Sequence, residues 1–143
     1  MRRLTNLAAA LAATAAFVAA TPAAAVDPIT GHWVTPEKDA VITIDRCGTD
    51  YCGRLSKYLV IPDDGVNQKD VNNPNPRLRQ RKLLGSSLLT GLNQDGDLWR
   101  GTIYDPRNGK SYRSAVRRKS TNVLEVKGCI GPFCQTQIWR KVG

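Results

Sequence analysis

Four cysteines form two pairs of equal spacing: Cys47 and Cys52 in "CGTDYCG", and Cys129 and Cys134 in "CIGPFC". Such pairs can hold zinc, exchange thiol for disulfide, or serve as structural bridges. Zinc knuckles favour the tighter C-x-x-C spacing, and His32, the one histidine, has no helical partner histidine. A thioredoxin-like site needs C-x-x-C beside a βαβ pattern, and the chain has neither. Structural disulfides are therefore the favoured reading. Three connectivities stay formally open. The local one, Cys47 with Cys52 and Cys129 with Cys134, is favoured because each pair brackets a turn. Closing so short a loop stabilises the fold by about 2 kcal/mol per bridge.

No other constellation points to catalysis. A Ser-His-Asp arrangement would need His32 as its base, and "LGSSLLTG" is not a G-x-S-x-G elbow. Asp70 and Asp105 could pair as carboxylates for glycoside hydrolysis, but sequence supplies no separation between them. "DDGVNQKD" lacks EF-hand spacing, which leaves calcium only an irregular loop, and no metal or cofactor is expected. The densest charge is Arg77, Arg79, Arg81 and Lys82. On an extended chain the three arginines would project to one side as a comb for phosphate or carboxylate groups. The competing reading is a solvated loop whose arginines pair with Asp63, Asp64 and Asp70.

The elements that must position these residues are strands. "GHWV", "AVITIDRC", "CGRLSKYLVI", "LWRGTIYD", "KSYRSAVRRK", "VLEVKGC" and "QTQIWRKV" are β-branched or alternating runs between turn residues. "LLGSSLLTGL" reads as a strand or a short helix, and "PDDGVNQKDVNNPNPRLRQRK" as one long loop. Asp95-Gly96 and Asn108-Gly109 are hairpin signals. In "YDPRNGKSY", Asp105 is placed to accept backbone hydrogen bonds at the turn start while Pro106 fixes φ. Trp33, Trp99 and Trp139 fall within strands as core residues whose indole N–H groups need partners. About eight short strands predict an all-β single domain, a sandwich or an up-and-down barrel.

The N-terminus bears on compartment. "MRR", an apolar Ala-rich run and "TPAAA" form a secretory signal peptide over residues 1–25, with cleavage after Ala25 and one domain over 26–143. Export to a periplasmic or secreted, oxidising location agrees with paired cysteines. Loss of Arg2 and Arg3 takes the formal charge from +9 to +7, consistent with an anionic envelope partner or with solubility alone. Nothing resembles an RNP motif or a basic recognition helix, so nucleic acid is not expected. No transmembrane segment is expected after the signal.

Three segments carry a resemblance: "DVNNPNPRLRQRKLLG", "GTIYDPRNGKSY" and "GCIGPFCQTQIWRK". With "GHW" and "CGTDYCG" they resemble the bacterial secreted family catalogued as domain of unknown function 2147, from Gly31 to Arg140. Lys82 and Cys134 stand where that family usually has proline and often glycine. The resemblance implies a calycin-like, lipocalin-type barrel and no particular activity. It marks Asp70, Asn73, Arg79, Arg81, Tyr104, Asp105, Lys110 and Tyr112 as candidate ligand contacts. Gly31 and Trp33, with Arg140 late in the last strand, look like the lipocalin pattern in which arginine stacks on tryptophan to close one barrel end. Two functions follow as expectations. One is a module holding a small anionic or amphipathic ligand, with the long loop as its rim. The other is an envelope protein docking through a basic face, its barrel closed.

Overall fold

A computed structural model describes residues 13–21 and 28–143 of the chain. The basic head and the cleavage point of the expected signal peptide lie outside the described residues. Eight strands follow in order: β1 (Gly31–Val34), β2 (Ala40–Cys47), β3 (Asp50–Tyr58), β4 (Ser87–Asp95), β5 (Leu98–Asp105), β6 (Lys110–Ser120), β7 (Val123–Ile130) and β8 (Phe133–Lys141). Each pairs antiparallel with its sequence neighbour, and β1 returns to β8 through Trp33–Lys141 and Val34–Arg140. The sheet is a closed up-and-down barrel, so no long edge is left unpaired.

Strand alternation builds the core. On β2, Ile42 and Ile44 turn inward and are 1% exposed, and on β7 Leu124 and Val126 do the same. Leu89, Leu92, Val116 and Trp33 join them. Burying each large aliphatic side chain contributes about 2 kcal/mol. The segment "LLGSSLLTGL" resolves into two parts. Leu83 to Ser86 end the long loop, and the strand begins at Ser87. Leu83 is itself buried in the core, which anchors the loop's far end.

One end of the barrel is plugged. Trp33 is wholly buried, and its indole N–H donates to the Ile29 carbonyl at 3.0 Å. The guanidinium that covers its ring, 5.7 Å from the centroid, belongs to Arg118 of β6. Arg118 also donates to the carbonyls of Pro28 (2.6 Å), Ser120 (3.2 Å) and Thr121 (2.8 Å), tying the entering chain to the β6–β7 turn. This corrects the expectation for Arg140. Trp139 is buried, so its neighbour Arg140 must face outward on an alternating strand, and it is exposed. Trp139 donates to Gln137 Oε1 at 2.8 Å. Trp99 packs edge-on against Tyr51 at 4.9 Å, but its indole N–H finds no partner among the described residues.

Both cysteine pairs are bridged locally, Cys47 to Cys52 and Cys129 to Cys134. None of the four is left as a thiol. The first bridge crosses the β2–β3 hairpin at the plugged end, and the second crosses the β7–β8 hairpin at the other. Among the described residues, no helix is long and apolar enough to cross a membrane.

Candidate ligand-binding site

The end opposite Trp33 is open. It is framed by the β1–β2 turn, the long loop between β3 and β4, the β5–β6 turn and the β7–β8 hairpin. Inside lies a cavity of about 1100 Å³. Its walls are Ile42, Leu55, Leu88, Ile103 and Val126, and Trp139 reaches its inner part. Gln135 and Gln137 make one stripe of the wall polar. Gly128 on β7 leaves room there. A methyl group at its Cα would sit in ordinary contact with Ile103 and Tyr112, 3.4 and 3.8 Å away. A cavity of this size, mostly apolar with a few polar groups, is the form that small-molecule sites take.

The long loop is not a free lid. It carries a short 3-10 helix, Pro76–Leu78, started by the Asn75 side chain accepting from the Arg77 N–H, and an isolated bridge between Lys69 and Lys82. At its centre the carboxylate of Asp70 is wholly buried. Oδ1 accepts from the Tyr104 hydroxyl at 2.6 Å. Oδ2 accepts from Asn73 Nδ2 at 2.8 Å and from Arg81 Nε at 2.9 Å, with a second Arg81 nitrogen at 2.8 Å. Burial alone would push the Asp70 carboxyl up, but the hydrogen bonds from Tyr104, Asn73 and Arg81 and the guanidinium charge outweigh it and hold it below its ordinary value. The Tyr104 phenol is pushed up to about 12 by burial, then by its bond to Asp70 and that carboxylate's charge.

A second clasp lies beside the first. Asn72 Nδ2 donates to the carbonyls of Pro106 and Arg107, both at 3.1 Å. The β5–β6 turn accepts it because Gly109 has φ +70° and no side chain. A Cβ there would lie 1.9 Å from the Asn72 carbonyl oxygen. The turn is built as the residues suggest. Asp105 Oδ1 accepts from the Arg107 backbone N–H at 3.0 Å, and the Arg107 side chain returns to the same carboxylate at 2.9 and 3.2 Å. Burial would raise the Asp105 carboxyl, but these bonds hold it low.

The residues marked by resemblance therefore divide. Asp70, Asn73 and Arg81 join Tyr104 in the first clasp, and Arg79 supports it by donating to the Asn73 carbonyl at 2.8 Å. Lys110 opens β6, is exposed, and donates its backbone N–H to Asn108 Oδ1. Only Tyr104, Asp105 and Tyr112 line the cavity. Of the two readings of these arginines, the comb does not form. The turn at Pro76–Leu78 breaks the extended chain it requires, and Arg79 and Arg81 are occupied by Asn73 and Asp70. For Arg81 the competing reading, pairing with Asp70, is the one observed.

The lining also includes residues that the sequence did not single out as contacts. Glu37 and Asp39 come from the β1–β2 turn, and Asp63 and Asp64 from the start of the long loop. Their only signal was membership of turns, which the topology gathers at one end.

The sequence profile of a family described as uncharacterized protein conserved in bacteria (DUF2147) matches residues 31–141. The chain belongs to that family. The match spans β1 to the end of β8, the whole barrel. Among solved structures, the chain is similar to protein HP1028 from Helicobacter pylori, described as belonging to the lipocalin family. The two are 22% identical with a TM-score of 0.70, over 81% of this chain and 84% of that one. At that identity the likeness concerns the fold: an eight-stranded barrel of lipocalin type. No curated protein matches the chain.

Proposed function

We propose that this member of the DUF2147 family is an exported binding protein that holds a small amphipathic molecule in the open end of its barrel. The carrying observation is the asymmetry of the interior. One end is packed solid under Trp33 and Arg118, while the other holds about 1100 Å³ behind a fixed rim. A barrel that used its interior only for stability would fill both ends, because an apolar void forfeits dispersion contacts. The two clasps add support. They hold the rim in place before a ligand arrives, which lowers the ordering cost of binding. Export is supported by the basic and apolar N-terminal residues and by two disulfides, which persist in oxidising compartments. The anionic ligand expected from the arginine comb loses its basis, since Arg79 and Arg81 are held within the loop.

The test uses N-phenylnaphthylamine, a neutral apolar dye that fluoresces when it leaves water. The wild-type protein is expected to bind it saturably. Gly128→Val, which places a branched side chain inside the cavity next to Ile103 and Tyr112, is expected to weaken binding by about tenfold or more, with the melting transition retained. Equal binding by both proteins would remove the cavity as the site.

A further inference from the structure

The charge of the cavity mouth is opposite to that of the chain. The whole sequence has 21 Lys and Arg against 12 Asp and Glu. Among the described residues, the cavity lining contains five of those twelve acids and one of the basic residues, Arg107. The acids come from three separate parts of the chain: Glu37 and Asp39, Asp63 and Asp64, and Asp105. No single charged run brings them together. The barrel topology does.

Arg107 shows how this field treats a cation. Asp105 grips it with both oxygens, and the charges of Glu37 and Asp39 add to the attraction that holds its proton more tightly than usual. One guanidinium does not neutralise the mouth. Among the described residues, Glu37, Asp39, Asp63 and Asp64 make no ion pair with a basic side chain, and the Asp39 carboxylate accepts only from the Thr35 hydroxyl, at 2.7 Å.

The second observation is independent of charge. Tyr58, Tyr104, Tyr112, Phe133 and Trp139 line the same cavity, five of the nine aromatic residues in the sequence. The electron-rich faces of aromatic rings attract ammonium groups, quaternary ones included. Burial pushes the Tyr58 phenol up, and the Asp64 charge adds to it. Tyr58 and Asp64 line the same mouth. An apolar wall lies below them, where a charge would be costly to bury and an alkyl or aromatic body would not.

We infer that the ligand is an organic cation with an apolar body, its ammonium group held at the mouth and its body in the barrel. This rests on the binding reading above and fixes the sign of the ligand's charge. The carboxylates also act against competitors, since a fatty acid of the same shape would bring its carboxylate among like charges.

Calorimetric titration with three probes of equal chain length, decyltrimethylammonium and decanoate below their micelle concentrations and decanol below its solubility limit, separates the possibilities. The ammonium is expected to bind at least about tenfold tighter than decanoate. The double variant Asp63→Asn, Asp64→Asn changes two exposed side chains and should fold normally. It is expected to shrink that preference several-fold while leaving decanol affinity unchanged. Decanoate binding as tightly as the ammonium, or a preference untouched by the double variant, would overturn the inference while the cavity remained a binding site. If none of the three probes bound, the binding reading itself would fall, and this one with it.

Discussion

Asp70 is the residue on which the rim depends. A buried carboxylate is stabilising only when its oxygens are satisfied, and here both are, by Tyr104, Asn73 and Arg81. Asp70→Asn leaves the guanidinium and hydroxyl facing an amide, and is expected to lower the unfolding free energy by about 3 kcal/mol at neutral pH. The pH dependence has a definite sign. The folded carboxyl titrates below its ordinary value, so the clasp is at full strength above about pH 4 and is lost as pH falls from there toward the folded value. Denaturant unfolding in acid should therefore show the wild type and Asp70→Asn converging. A gap of constant size across that range would mean that the buried Asp70 is not charged. Sequence could mark Asp70 and Tyr104 as notable but not as partners, because 34 residues separate them. Arg118 was missed for a different reason. The lipocalin pattern drew attention to the last strand, although Trp139 and Arg140 are adjacent and cannot both face inward. Tyr112, Ser114, Val116 and Arg118 share one parity on β6, and that was the available signal.

At the scale of elements, the strands could be read because alternation and turn chemistry are local. Asp95-Gly96 and Asn108-Gly109 sit at hairpin turns, and the ambiguous "LLGSSLLTGL" contributes most of a strand. The long loop could not be read, because its path is set by contacts with β5 and the β5–β6 turn. Gly109 is where the two meet. Gly109→Ala would force a Cβ against the Asn72 carbonyl and strain a backbone at φ +70°. It should destabilise the protein by about 2 kcal/mol, and the loss should be localised. Hydrogen exchange is expected to rise in residues 66–82 and around the turn while β2 and β7 stay protected. Uniform loss of protection across the barrel would show that the loop and the sheet unfold as one unit.

The whole molecule is a closed tube with one plugged end and one open end, and its net charge conceals an acidic mouth. Composition alone left an anionic partner and plain solubility equally open, because a formal charge of +9 carries no information about where the charges lie. The fold class was legible from strand count and from the resemblance of "GHW", "YDPRNGKSY" and the cysteine segments. The gathering of Glu37, Asp39, Asp63, Asp64 and Asp105 at one end was not, because it depends on which turns share an end of the barrel. On the proposed function, this open end is occupied by a small molecule in the cell. Native mass spectrometry of the protein released gently from its own host, set beside a denatured sample, tests it most directly. The denatured chain should weigh four hydrogens less than its reduced form, one pair for each bridge, and should begin after Ala25. The native ion should carry an additional small mass that disappears on denaturation and is absent from Gly128→Val. A native ion with the bare mass of the chain, under conditions that keep an added dye bound, would show that the open end is empty in the cell.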